Sequence, residues 1–471
     1  MPVSSAYRPD PRLPALGEAF ADPVAAADFP QTLLRYRNDR AAASVGLEDL
    51  TDAEWIAHFG RFQPLPGNLP TPLAQRYHGH QFRVYNPDLG DGRGFTFAQM
   101  REVGSNRLLD LGTKGSGQTP WSRQGDGRLT LKGGVREVLA TAMLEALGVP
   151  TSKSFSLVET GEDLVRGDEP SPTRSAVLVR LSHSHIRFGT FQRQAFLEQA
   201  DEIVRLTDYV IGTYYPELGN APDRGAALLE AVAGRTATLA ASWMAAGFVH
   251  GVLNTDNMNI TGESFDYGPY RFLPRNDPNF VAAYFDQQGL YSFGRQPEAV
   301  FWNLQQLAGS LSLATKDHDP LIAALNGFGP AYREALAASM LRRLGLKGRD
   351  PETDAAFVGL VFRTIAEGGE ALRWEPFFFD WFCSDAARAL AGVRGEIYRG
   401  EAFEAFREQI VGFEADRPER LSTAYFGAPE PQELLIGEIE AIWAAIAEND
   451  DWGAFEAKLA AVETARLAYA L

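Results

Sequence analysis

Read outward from HGVLNTDN (250–257) and DYG (266–268), this 471-residue sequence arranges its polar motifs around one chemistry. Asn257 and Asp266 are hard oxygen donors of the kind that hold a small divalent cation, and Asp256, beside the first, is a carboxylate able to accept a proton. Upstream, LGDGRG (89–94) is a Gly-rich turn leading into a strand. Lys114 ends the following strand, and Glu137 lies on a helix with one apolar face. A nucleotide with its metal needs such a set: oxygen ligands for the metal and cations for the phosphate oxygens.

The flanking patterns predict an α+β chain. GFTFAQMREV (94–103) and RLLDLGTK (107–114) read as paired strands joined by a turn at 104–106; SKSFSLVE (152–159) and SAVLVRLS (175–182) read as two more. Between them Val135, Val138, Leu139, Ala142, Met143 and Ala146 recur at three- and four-residue spacing. They predict a helix over about 134–147, stopped by Gly148 and Pro150. From 196 onward the chain reads as amphipathic helices, first 196–215 and 225–247, interrupted by the polar, β-like stretch 250–274. A β-rich half, then a helical half, with polar motifs at the join, is the layout of a protein-kinase-like two-lobed fold. The expected divisions are a wrapping extension (1–90), a β-rich N-lobe (91–190), a helical C-lobe with the catalytic loop and DYG (191–350), and a C-terminal helical extension (351–471).

Set against the kinase loop pattern H-R-D-x-x-x-x-N, HGVLNTDN fits at both ends, His250 and Asn257, without a gap. Lys114, Glu137 and Asp266 match the phosphate lysine, its helix partner and the metal-binding Asp by type and order. The place of the usual catalytic Asp is taken by Val252, which cannot accept a proton. Asp256 can take over from a different angle, which implies altered substrate geometry rather than lost activity.

Composition excludes several classes. With 44 Lys plus Arg against 61 Asp plus Glu, the net charge of −17 repels a polyanion and argues against a general nucleic-acid binder. The single cysteine, Cys383, excludes an intramolecular disulfide and a four-thiolate zinc site, and fits a reducing compartment. No stretch approaches the roughly 18–20 apolar residues of a membrane span, and MPVSSAYRPDPRLPALGEAF (1–20) lacks a signal-peptide core. A cytoplasmic protein without membrane partners is expected.

YHGHQF (77–82), LGDGR (89–93), KGSGQTPWSRQGDGR (114–128), RE within the helix (136–137), SHIRFGTF (184–191) and HGVLNTDNMNI…DYGP resemble the selenoprotein O family over about residues 77–274. The resemblance implies a pseudokinase-like fold acting as a protein adenylyltransferase. ATP would bind flipped, its α-phosphate facing the acceptor, and AMP would pass to a Ser, Thr or Tyr hydroxyl of a protein with release of pyrophosphate. UMP transfer from UTP is the related activity, and Mg²⁺, with Mn²⁺ as the alternative, the implied metal. Position by position the resemblance assigns Gly90, Gly92 and Arg93 to nucleotide contact, and Lys114 to phosphate with Glu137 as partner. Asp126 and Gly127 match a second Gly-rich contact, Arg180 and Arg187 the flipped phosphates, Asp256 the proton acceptor, and Asn257 and Asp266 the metal. Forked guanidinium donors suit phosphate better than a point charge, and with Arg93 and Lys114 they would make a basic pocket in an acidic protein.

The chain departs from the family pattern at Arg83, where Gly is usual, and at Gly133-Gly134-Val135, where Ser-Ser-Ile is common. ARLAYAL (465–471) carries no thiol, so redox control through a terminal cysteine is not expected. Two competing readings use the same site: an atypical kinase, against which Val252 counts, and a non-catalytic nucleotide-binding scaffold, against which the intact Asn257 and Asp266 count.

Other motifs carry blander expectations. GSGQTP (115–120) fails as a dinucleotide fingerprint because Pro120 stands in the third glycine's place. The pairs His78/His80 and His183/His185 are expected to hydrogen-bond loops around the cleft rather than ligate metal. Cys383 is expected to be buried, and WEPFFFDWF (374–382) to pack between helices. Asp126 has the alternative of bracing its own turn.

Overall fold

The computed structural model describes residues 3–167 and 169–471. In chain order the strands are β1 (Ala21–Pro23), β2 (Leu33–Arg37), β3 (Leu73–Gln75), β4 (Gly79–Gln81), β5 (Val84–Asn86), β6 (Thr96–Arg101), β7 (Leu108–Lys114), β8 (Leu129–Thr130), β9 (Lys153–Leu164) and β10 (Thr173–Ser182), followed by the short pair β11 (Phe248–Val249) and β12 (Arg271–Phe272). Eight of them form one antiparallel sheet in the order β1-β3-β6-β7-β10-β9-β2, with β8 pairing β10; β4 and β5 make a separate hairpin. The first 90 residues therefore supply strands at both sheet edges.

Strand alternation decides which side chains reach the site. Leu109, Leu111, Val177 and Val179 point to one face, where Trp55 and Phe59 of helix α2 (Asp52–Phe59) stack with Phe155 and Phe97. Leu108, Ala176 and Leu178 point to the other, against Val135, Val138 and Leu139 of helix α3 (Leu131–Ala146). Lys114 and Arg180 share the parity of Leu108 and Leu178, so both cations emerge on the α3 side, and Leu178 pairs directly with Lys114 across the ladder. Burying a large apolar side chain contributes about 1.5–3 kcal/mol, so two packed faces fix this register firmly.

The helix expected over 134–147 begins three residues earlier. Thr130 caps it, its side-chain oxygen accepting the Gly133 N–H at 3.1 Å, which overrides the weak propensity of Gly133 and Gly134. The predicted helix 196–215 is broken: one helix (Phe188–Phe196) ends, Glu198 takes a left-handed conformation, and another (Ala200–Tyr214) begins.

The C-terminal part is helical. Helix Arg224–Ala245 packs against Gln296–Leu311 and Phe328–Arg343, and Trp374, Phe377, Phe378 and Trp381 fill a core of their own, as expected of the aromatic run. Cys383 is buried beside Tyr425, Phe426 and Tyr469. Helix Gly453–Tyr469 returns to pack on α3. Backbone bridges Arg187–Asn259 and Thr151–Ser264 tie the sheet region to the segment carrying the 250–268 motifs.

Candidate active site

A cavity of 760 Å³ opens between the sheet and the helical part. Of the sequence-predicted residues it is lined by Gly90, Gly92, Arg93, Lys114, Asp126 and Gly127, and by Arg180, Arg187, Asp256, Asn257 and Asp266. Glu137 stands behind Lys114, only 1% exposed.

Lys114 Nζ, at the end of β7, donates to both Glu137 and Asp266. Arg180 NH1 lies 3.5 Å from the same Asp266 oxygen. Burial alone would push the Asp266 carboxyl up, but Lys114, Arg180, Arg187 and Arg93 together outweigh it and hold it well below the usual carboxylate range. Asp266 adopts φ +67°, a left-handed conformation that Asp tolerates better than most residues. Arg187 stacks on Tyr77 at 4.4 Å and on Phe265 at 4.9 Å, and Phe265 also carries Arg180 at 5.6 Å. Two guanidiniums are thereby aimed into one cavity from a shared aromatic base.

Asp256 and Asn257 sit in a single helical turn held from several sides. Arg187 donates to the Asp256 carbonyl at 2.8 Å, Asn257 Nδ2 donates to the Val252 carbonyl at 3.0 Å, and Asn303 Nδ2 donates to the Leu253 carbonyl at 2.8 Å. From the β4–β5 hairpin the His80 amide donates to Thr255 Oγ1 at 2.8 Å and the Phe82 amide to Asn254 Oδ1 at 3.0 Å. Asp256 is 8% exposed and its Oδ1 has no hydrogen-bond partner among the described residues. Burial raises its carboxyl to about 6, against the pull of Arg187. A carboxylate so poised can take a proton near neutral pH.

Asn257 spends one amide hydrogen on the Val252 carbonyl, and its amide oxygen and the Asp266 carboxylate are the hard oxygen donors on this side of the cavity. Among the described residues no cluster of three His, Cys, Asp or Glu side chains suited to a metal occurs. Two hard oxygens suit a cation such as Mg²⁺, which keeps several waters and needs few protein ligands.

The first histidine pair braces loops through hydrogen bonds, whereas both ring nitrogens of His185 lack a hydrogen-bond partner among the described residues. His78 Nδ1 is 2.9 Å from the Tyr85 hydroxyl and His80 Nδ1 2.8 Å from Gln192 Nε2, while His183 packs edge-on to Tyr214 and His185 faces Asp110 at 3.4 Å. His250 is buried, its Nε2 3.0 Å from the Phe265 carbonyl. Asp126 accepts the Arg128 amide at 2.9 Å, bracing its own turn while pairing with Arg166 at 2.7 Å.

Sequence reasoning missed Asp91, Tyr77, Trp121 and Phe265. Asp91 accepts from Arg187 at 3.3 Å and from the Gln75 amide at 3.0 Å, and it lay in plain view between Gly90 and Gly92. Trp121 covers Gly90 so closely that a Cβ there would collide with the indole. Phe265 and Tyr77 are pattern-neutral aromatics that only the fold brings beneath the arginines.

The basic walls, buried lysine–carboxylate cluster and hard oxygen donors make this a site for a phosphate-rich substrate, built for transfer rather than for an apolar ligand. Over residues 4–463 the chain matches the family model described as protein adenylyltransferase SelO, and it belongs to that family. It is 46% identical over 469 residues to the protein nucleotidyltransferase YdiU of Synechocystis sp., covering 95% of this chain and 96% of that one. The protein of the same name from Gloeobacter violaceus is 47% identical over 457 residues, with coverages of 95% and 93%. That from Synechococcus elongatus is 45% identical over 474 residues, with coverages of 96% and 94%. The family expected from the motifs is thereby shown, as is the enzyme class, protein nucleotidyltransferase.

Proposed function

We propose that this enzyme transfers AMP from ATP, and in the related reaction UMP from UTP, to Ser, Thr or Tyr hydroxyls of cytoplasmic proteins. It would do so on a kinase-like two-lobed framework whose β-rich half supplies Lys114, Glu137 and Arg180 and whose helical half supplies Asp256, Asn257 and Asp266. The acceptor oxygen attacks the α-phosphorus, the bond from that phosphorus to the bridging oxygen of the β-phosphate breaks, and pyrophosphate leaves. The acceptor proton passes to Asp256 and then to solvent.

The observation that carries this reading is Asp256: a buried carboxylate with an unpartnered oxygen and raised proton affinity, in the cavity that Arg180 and Arg187 line, while Val252 stands where a phosphorylating loop needs its base. Arg180, Arg187, Arg93 and Lys114 hold the phosphates, orient the triphosphate and offset the charge on departing pyrophosphate, so positioning and electrostatics provide most of the acceleration. Gly90 and Gly92 let backbone approach the nucleotide, with Asp126 and Gly127 flanking it. Mg²⁺, or Mn²⁺ in its place, held by Asn257 and Asp266, supplies further charge neutralisation on the phosphate oxygens.

Incubation with ATP labelled at either the α- or the γ-phosphate separates the chemistries. Label is expected on protein only from the α position, and Asp256→Asn is expected to lower its incorporation by about 10²–10⁴-fold while nucleotide binding persists. Incorporation from the γ position would make the enzyme a kinase instead.

A further inference from the structure

A second depression, of 460 Å³, adjoins the nucleotide cavity between the first turns of α3 and the segment following Asp266. It shares Arg93 and Lys114 with that cavity, so the two are continuous. Its charge is lopsided. Lys132 and Arg136 both draw on Glu440, at 2.7 and 3.9 Å, and Arg93, Lys114 and Arg271 add further cations to a lining whose carboxylates are Glu137, Glu169 and Glu440. Arg136 is fixed by its stack on Tyr270 at 4.9 Å and by donating to the Gly268 and Tyr270 carbonyls at 3.2 and 3.3 Å. Arg271 is likewise pinned, donating to the Tyr270 carbonyl at 2.8 Å; burial and then the nearby Arg136 lower its guanidinium, against the pull of Tyr270 and Glu440. An acidic chain whose cations outnumber its carboxylates along one hollow presents there a local field opposite to its own net charge.

The rim is aromatic. Tyr284 is 81% and Phe285 47% exposed, their rings 5.1 Å apart. Large rings left in water beside a groove mark contact surfaces. Phe285 packs 5.7 Å from Phe82, whose amide holds Asn254 in the loop of Asp256, so the rim adjoins the reacting end of the site.

We infer that this groove docks the acceptor protein and that the acceptor presents an acidic segment beside its modified hydroxyl. The inference rests on the nucleotidyl-transfer reading of the adjoining cavity and deepens it by naming the class of acceptor sequence. Fixed guanidiniums receive carboxylates in forked pairs, and Tyr284 and Phe285 cover the apolar flank of the segment. Glu440 is the built-in competitor for these cations.

The test uses the full chain and a fluorescent Glu-rich peptide whose single acceptor position is Phe, so that binding is read by anisotropy without transfer. Binding is expected to persist at saturating ATP, to weaken with salt, and to exceed that of a Lys-rich peptide. Glu440→Gln is expected to tighten it about three- to fivefold and Arg271→Ala or Lys132→Ala to weaken it by a similar factor, with nucleotide affinity unchanged. Because Glu440→Gln is a gain, misfolding cannot imitate it. Equal binding of the Lys-rich peptide, indifference to Glu440→Gln, or displacement of the peptide by ATP would each overturn the proposal. α-Label transfer is read separately on a Tyr-bearing version of the peptide. Transfer without acidic preference refutes the docking alone, whereas binding without transfer from ATP or UTP refutes the nucleotidyl reading and with it the acceptor assignment.

Discussion

Replacing Lys114 by Met isolates the electrostatic knot of the site. The Lys114 side chain is 6% exposed and serves two carboxylates, Glu137 at 1% and Asp266 at 24% exposure. With the ammonium gone, Asp266 keeps Arg180 at 3.5 Å, but Glu137 is left buried with no cation, and its Oε2 already has no partner. Breaking a buried pair from one side costs about 3–5 kcal/mol; with Asp266 still served, about 3 kcal/mol is expected here. Glu137→Gln alone leaves Lys114 on Asp266 and should cost about 1 kcal/mol. Adding it to Lys114→Met removes the orphaned charge and should restore about 2 kcal/mol, so the double variant loses about 1 kcal/mol and a double-mutant cycle reads a coupling of about 3 kcal/mol. Urea unfolding followed by tryptophan fluorescence gives the stabilities, and titration with a fluorescent nucleotide gives the accompanying loss of binding. A Lys114→Met protein as stable as the parent, or one that Glu137→Gln fails to rescue, would refute the account of this cluster.

Other expectations follow from single contacts. Burial pushes the Glu145 carboxyl up, yet Arg40 and Lys153, the latter 3.0 Å away, bring it down to about 2 from 4.5. Its folded value lies below its unfolded one, so its contribution, at most about 3 kcal/mol, is complete above pH 4.5 and fades as pH falls toward 2; Glu145→Gln should flatten acid unfolding across that window. Gly90→Ala drives a Cβ into Trp121 and should lower ATP affinity at little cost to folding, measured by nucleotide titration beside a thermal melt. Arg343→Leu strips the buried Glu375 of its cation, leaving only the Tyr469 hydroxyl at 3.0 Å, and should destabilise the helical part by about 3 kcal/mol; Arg343→Leu with Glu375→Gln should recover much of that in urea unfolding.

The α+β layout and the site's composition were legible because each rests on a local rule. Residue type and motif order already singled out Lys114 and Glu137, while the common face of Lys114 and Arg180 depends on the β7–β10 register. Three features were not legible, each for a physical reason. The start of α3 was masked by Gly133 and Gly134, since a side-chain cap outweighs propensity at a helix end. The β-edge role of the first 90 residues depends on non-local pairing, such as Ala21 with Gln75, that no short pattern announces. Phe265 and Tyr77 become arginine platforms only through tertiary approach, and Asp91 was passed over because glycines on either side drew attention to backbone rather than side chain.

Helix Gly453–Tyr469 lies more than three hundred residues downstream of α3 yet packs on it, and Lys132 near the start of α3 is answered by Glu440. During vectorial synthesis the lysine clamp therefore waits for its outermost buttress until nearly all of these 471 residues have left the ribosome. Truncation at residue 450 should therefore be felt first as slackness around Lys114 rather than as wholesale collapse.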